Sequence, residues 1–203
     1  MDIFLVILYS YILGSIPFGL ILTKTFTKID LRNIGSGNIG ATNVLRTGNK
    51  FLAFSTLLLD VLKGYLPVAI TIQYYPELTQ TSCLIVFLGH IFPAWLKFKG
   101  GKGVATYLGI LFALSIQLSL LFIFTWLVVS LIFRFSSLSS MFATLSVFVV
   151  TIIKDNALKS IDPDNYIEQD IKLLLFIFFI LIIYTHRKNI LNLRNKKEKK
   201  IKI

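Results

Sequence analysis

Residues Val104–Phe133 read VATYLGILFALSIQLSLLFIFTWLVVSLIF, without one charged side chain. A membrane-crossing helix takes about 20 apolar residues, so this run is too long for one ordinary crossing and short for two. Its surroundings decide between them. Before it stand Lys97, Lys99 and Lys102, and the tail from 186 onward carries a further cluster of Lys and Arg. Both segments belong on the cytoplasmic side by the positive-inside rule. The chain must therefore cross the membrane an even number of times between 103 and 186. Apolar runs at 137–153 and 171–185 supply two crossings. Reading 104–133 as a short helix near 104–114 and a second near 115–133 supplies the other two. The acidic loop 154–170, with Asp155, Asp162, Asp164, Glu168 and Asp170, then lies outside, and Arg134 lies inside.

The same bookkeeping extends to the rest of the chain. Ile3–Leu22 is an apolar run preceded only by Met1-Asp2, without the positive n-region of a cleaved signal, and reads as a retained span. Further runs occupy 51–75 and 82–96. The expected fold is an all-α integral membrane protein of seven transmembrane helices, N-terminus out and C-terminus in, as one polytopic domain over 1–203. Composition agrees with the class. Of 203 residues 55% are hydrophobic and only 15% charged, with a mean hydropathy of +0.76. Soluble domains carry roughly 25% charged residues, and disordered chains combine low hydrophobicity with high net charge. The net charge of +11 sits almost wholly in segments 23–50, 97–102 and 186–203. It reads as an orientation signal rather than a nucleic-acid footprint. Cys83 is the only cysteine, which excludes an intramolecular disulfide and any multi-cysteine metal site. Neither a metal nor a cofactor is expected.

Some polar residues fall where lipid should exclude them. Asp60 and Lys63 lie three apart in the second run, share a helix face and read as an internal salt bridge. His90, in Gly89-His90-Ile91-Phe92-Pro93, reads as a hydrogen-bonding partner of a neighbouring helix. His186 ends the last span beside Arg187 and Asn189, on the side of two glycine-rich loops, and reads as functional.

The first loop is Ile34-Gly35-Ser36-Gly37-Asn38-Ile39-Gly40-Ala41-Thr42-Asn43-Val44-Leu45-Arg46. Its G-x-G-x-x-G spacing lacks the βαβ context of a dinucleotide site, and Ala41 stands where a Walker A loop needs Lys. What remains is a flexible loop whose N–H groups can converge on an anion, with Ser36, Asn38, Thr42 and Asn43 as neutral partners. If 40–47 is helical, Asn43 and Arg46 share a face. The second loop is Lys97-Phe98-Lys99-Gly100-Gly101-Lys102-Gly103-Val104-Ala105-Thr106. Three lysines and three glycines lead into a predicted helix N-terminus, which suits phosphate.

These motifs closely resemble the acyl-phosphate:glycerol-3-phosphate acyltransferases, the bacterial PlsY family. The first match runs from Gly14-Ser15-Ile16-Pro17-Phe18-Gly19 through Asp30-Leu31-Arg32 and Gly35–Arg46 to Leu57–Asp60 and Leu62-Lys63-Gly64. The second joins Gly89–Pro93 to Phe98–Thr106, and the third is His186-Arg187-Lys188-Asn189-Ile190 with Leu193 and Glu198. The chain departs from the pattern at Gly48-Asn49-Lys50-Phe51, at Thr185 (usually basic) and at Lys196 (usually glycine). The resemblance implies seven membrane helices and transfer of a fatty acyl group from acyl-phosphate to the 1-hydroxyl of glycerol 3-phosphate. The products are lysophosphatidic acid and phosphate, the first step of phospholipid synthesis. It puts Ser36, Arg46, His186 and Asn189 at catalytic positions. It makes Gly37, Asn38, Asn43, His90, Lys99, Gly100, Gly101, Lys102, Gly103 and Thr106 the candidate substrate-binding residues. Expected partners are glycerol 3-phosphate, acyl-phosphate, membrane lipid and an upstream enzyme forming the acyl-phosphate, with no nucleic acid. The expected location is the cell membrane, multi-pass, with the site facing the cytoplasm.

The residues suit that chemistry. Acyl-phosphate is a mixed anhydride with a good leaving group, so the main task is to hold two phosphates together and stabilise an oxyanion. The fifth residue after His90 is Trp95 and after His186 is Leu191. The His-x-x-x-x-Asp arrangement of acyl-CoA-type acyltransferases is therefore absent. An anionic-solute transporter would predict inverted repeats, which the chain lacks. A phosphatidyl-transferring enzyme would want an aspartate-rich metal motif.

Overall fold

The computed structural model describes residues 1–161 and 171–201. Asp162, Asp164, Glu168 and Asp170 of the expected outer loop, and Lys202 of the tail, lie outside the described residues. The chain divides into two compact units, Met1–Ile116 and Gln117–Ile203. The first holds α1 (Asp2–Ser15), α2 (Phe18–Thr27), α3 (Ala41–Leu45), α4 (Lys50–Tyr74), α5 (Thr79–Ile91) and α6 (Val104–Leu114). Helix α7 (Ile116–Phe133) opens the second, followed by α8 (Ser136–Ile161), α9 (Lys172–Thr185) and α10 (Arg187–Arg194).

Within the first unit the helices pair through small residues. Helix α1 packs along α5, and α4 along α6. A Cβ on Gly14 would collide with the backbone of Val86, and one on Gly89 with the backbones of Tyr11 and Ser15. The other pair repeats the device: Gly64 faces the carbonyl of Thr106, and Gly109 that of Val61. Small residues let helix backbones approach closely where lipid supplies no hydrophobic drive between helices.

The first apolar run is broken at Ile16-Pro17. Pro17 lacks an N–H and favours an extended residue before it, and Ile16 is extended at φ −64°, ψ 119°. The break leaves a carbonyl that α4 satisfies: Lys63 Nζ donates to Ile16 O at 2.7 Å. Asp60 Oδ1 holds the same ammonium at 2.6 Å, and both side chains are buried. The salt bridge expected from the sequence therefore exists, and its place is at the hinge between α1 and α2.

The expected count of seven spans does not hold. Among the described residues, five helical stretches are long and apolar enough to cross: Asp2–Thr27, Lys50–Tyr74, Pro76–Leu96, Ile116–Phe133 and Ser136–Ile161. A sixth results only if α9 and α10, bent by 57°, count as one span. The division of 104–133 into two helices is as read, but α6 has only 11 residues. At about 1.5 Å per residue it reaches about 16 Å, half of a hydrocarbon core of about 30 Å. Instead of crossing, it buries Tyr107, Gly109, Ile110 and Leu111 within the protein. Polarity shows that a segment is apolar, not what covers it. With the count of seven goes the parity argument for an outer N-terminus and an inner C-terminus.

Candidate active site

The first glycine-rich loop rests on a small apolar floor. Leu31, Ile39 and Val44 from the loop pack with Leu20, Leu52 and Ala53 from α2 and α4. Asp30 starts the loop by accepting the N–H of Arg32 on Oδ1 at 2.9 Å. Gly35 and Gly37 take left-handed backbone conformations, φ +57° and +67°, which glycine adopts without penalty. This curl brings three carbonyls onto one amide. Asn43 Nδ2 donates to Leu31 O at 3.1 Å, Ile34 O at 3.0 Å and Asn38 O at 2.8 Å. Its Oδ1 accepts the N–H of Ser36 at 3.0 Å. Helix α3 is shorter than 40–47, spanning Ala41–Leu45 with Arg46 at its C-cap, and Asn43 and Arg46 both close on Gly35. Arg46 lies across Gly35, so closely that a Cβ there would overlap its Cδ. Ser36 and Arg46 are both exposed, whereas Asn43 is buried.

Three N–H groups of this loop turn inward. Gly37 N donates to Ile34 O at 2.8 Å, and Gly40 N to Asn38 Oδ1 at 2.9 Å. With Ser36 N held by Asn43, these donors do not form the anion-binding nest that the glycine spacing suggested. The glycines serve the curl and the close approach of side chains. The loop's outward groups are the Ser36 side chain and the Arg46 guanidinium.

The second loop follows the same economy by other means. Gly100 N donates to Ile91 O and Gly101 N to His90 O, each at 3.1 Å, closing the loop onto the end of α5. Gly101 meets the Nε2 edge of the His90 imidazole, where any Cβ would overlap Nε2, and Gly100 abuts the carbonyls of His90 and Ile91. Below, His90 Nδ1 and Thr106 Oγ1 share a hydrogen bond of 3.0 Å, the neighbouring-helix contact expected of this histidine. Both residues are buried. They support the loop from beneath, while Lys99 is exposed and Lys102 half-buried above. Gly103, at φ +86°, turns the chain into α6.

Arg32 joins the two loops. Its Nη1 donates to Gly37 O at 3.3 Å, and its Nη2 donates to Lys99 O. Partial burial pulls the guanidinium pKa down and Asp30 pulls it back up. In the sequence Arg32 counted as loop charge and as part of the Asp30-Leu31-Arg32 match, without a role in the site. The Asp30-x-Arg32 spacing was the signal for its fixed backbone, and nothing local announced its reach to Lys99.

The second unit holds the third motif. At the end of α9, Ile182 O is approached by His186 N at 3.1 Å, His186 Nδ1 at 2.8 Å and Thr185 Oγ1 at 3.0 Å. A carbonyl can only accept, so Nδ1 carries a proton. Thr185, where related motifs carry a basic residue, supplies a helix-end hydroxyl. The tail then folds back over α10. Glu198 Oε1 accepts from Asn189 Nδ2 at 2.6 Å and from Ser137 Oγ at 3.2 Å. His186 and Asn189 are both buried. Glu198 was noted in the sequence for its spacing but not counted in the site; its carboxylate sets the Asn189 amide.

A family model described as glycerol-3-phosphate acyltransferase matches residues 4–196. A glycerol-3-phosphate acyltransferase of Pelagibacter ubique is 53% identical over 203 residues, covering 100% of both chains. One from Mesorhizobium japonicum is 47% identical over 197 residues, covering 97% of this chain and 95% of its own. Among solved structures, the crystal structure of PlsY, an integral membrane glycerol 3-phosphate acyltransferase, in its glycerol 3-phosphate form superposes with a TM-score of 0.89. It is 35% identical, over 100% of this chain and 96% of that one. Its lysophosphatidic acid form gives 0.87 at 34% identity.

Proposed function

Because the chain belongs to the glycerol-3-phosphate acyltransferase family, we propose that it moves a fatty acyl group from acyl-phosphate to the 1-hydroxyl of glycerol 3-phosphate. The products are lysophosphatidic acid and inorganic phosphate. The observation that carries this reading is the pairing of two self-bonded glycine loops by Arg32, with Ser36, Arg46, Lys99 and Lys102 as their outward polar groups. Two substrates that both end in phosphate repel each other, and three cations on two tethered loops offset that repulsion.

In this mechanism Arg46, Lys99 and Lys102 hold the phosphates. Ser36 hydrogen-bonds a phosphate or the developing oxyanion, and Gly37, Asn38 and Asn43 shape the loop that presents it. Gly100, Gly101, Gly103, His90 and Thr106 shape the second loop. His186, oriented through Nδ1 on Ile182 O, and Asn189, held by Glu198, take part through the third motif. The 1-hydroxyl attacks the acyl carbon, the C–O bond to phosphate breaks, and the hydroxyl proton leaves with the donor's own phosphate. No protein base is needed for a leaving group of this quality. The positive charge of both loops supports a site facing the cytoplasm.

The test is purified protein with glycerol 3-phosphate and either an acyl-phosphate or an acyl-carrier-protein thioester. Phosphate release and lysophosphatidic acid with the first alone are expected; no acylated product with either overturns the assignment. Arg46→Ala and His186→Ala are expected to lower turnover by about 100-fold or more, the scale of losing a charge-stabilising contact in the transition state. Both should still fold in membranes. Near-normal turnover in both would remove these residues from the site.

A further inference from the structure

Arg32 lies outside the set of residues assigned to catalysis and binding above, yet its side chain bridges the two loops. Its backbone is fixed first. Asp30 caps its N–H, Leu31 beside it is fully buried in the apolar floor, and its own carbonyl lies against Gly37, where a Cβ would come to 3.1 Å. From this anchored position the planar guanidinium donates in two directions, to Gly37 O and to Lys99 O. Both acceptors are backbone carbonyls at or next to residues with outward groups. Gly37 follows Ser36, and Lys99 presents its own ammonium. The two loops are 67 residues apart in sequence at this contact.

We propose that Arg32 is a positioning residue that sets the spacing between the Ser36–Arg46 loop and the Lys99–Lys102 loop, and so the affinity for the glycerol-phosphate substrate. The inference rests on the functional reading above, and Arg32 acts through the two backbones rather than on the substrate. Its identity follows from geometry. A guanidinium presents five donors in a rigid plane and can serve two carbonyls on different sides. An ammonium on a shorter, flexible stem is a point charge and cannot hold both. If Arg32 only added positive charge near an anion, lysine would replace it.

The experiment compares wild type, Arg32→Lys and Arg32→Ala in purified protein. Glycerol 3-phosphate binding is measured by calorimetry, alongside KM and kcat for each substrate. Both variants are expected to bind glycerol 3-phosphate about tenfold more weakly, the loss of one charge-assisted hydrogen bond. KM for glycerol 3-phosphate should rise with it, while KM for acyl-phosphate and kcat stay within about twofold of wild type. Arg32→Lys carries the test if the alanine variant fails to fold. Wild-type affinity in Arg32→Lys would show that charge suffices and overturn the proposal. A loss of kcat with binding intact would overturn it too, by placing Arg32 in the reaction step. Wild-type protein that binds no glycerol 3-phosphate overturns the functional reading along with it. Wild-type binding together with unchanged variants overturns this inference alone.

Discussion

In the first glycine-rich loop a side chain holds the backbone; in the second the end of a helix does. Asn43 gathers three carbonyls and one N–H, and the curl of residues 31–38 depends on that amide. In the second loop, Gly100 and Gly101 bond directly to the last carbonyls of α5, and the Nε2 edge of His90 abuts Gly101. Both loops turn two of their glycine N–H groups inward, Gly37 and Gly40 in the first and Gly100 and Gly101 in the second. They differ in where they are vulnerable: the first at one polar residue, the second at the absence of a Cβ.

That contrast orders the expected effects of substitution. Asn43→Asp should be the most damaging, since it sets a carboxylate against the carbonyls of Leu31, Ile34 and Asn38. An unsatisfied buried group costs about 1–3 kcal/mol each, and displacing Ser36 and Arg46 by about 1 Å should cut kcat/KM by about 100-fold. A kinetic assay with acyl-phosphate, with membrane expression as control, checks it; near-normal turnover would show that the loop does not hang on this amide. Gly101→Ala comes next. Its methyl meets the His90 ring, and overpacking of this kind costs about 1–3 kcal/mol. A lowered Tm in detergent is expected, with KM for glycerol 3-phosphate raised more than kcat is lowered. An unchanged Tm would mean that the two surfaces do not touch as described.

The smallest effect has the opposite sign. Lys196 sits where related third motifs carry glycine, and its φ is +57°. A left-handed side-chain-bearing residue costs about 1–2 kcal/mol, and glycine returns part of that gain through its freer unfolded chain, about 0.5–1 kcal/mol. Lys196→Gly should therefore stabilise by about 0.5 kcal/mol, raising Tm by about a degree or two. A fall in Tm would show that the lysine side chain contributes more than its backbone costs.

Much of this was legible in the chain itself. A mean hydropathy of +0.76 with three clustered basic segments marked a multi-pass membrane protein. The i, i+3 spacing of Asp60 and Lys63 announced their pairing. The helix break after Leu114 followed from charge parity, although the parity argument overcounted the crossings. Two things were not legible. The brevity of α6 as a span depends on burial against α4 through Gly64 and Gly109, which no polarity pattern reports. The work of Asn43 and Arg32 depends on left-handed turns at Gly35 and Gly37, and on a contact 67 residues away.

The sequence by itself determined the membrane class and the family, because these follow from side-chain chemistry and local spacing. Only the tertiary structure decided which polar groups face outward and which are used to hold the loops. A backbone N–H or a carbonyl is identical in every sequence context, and its partner is set by where the folded chain brings another group within about 3 Å.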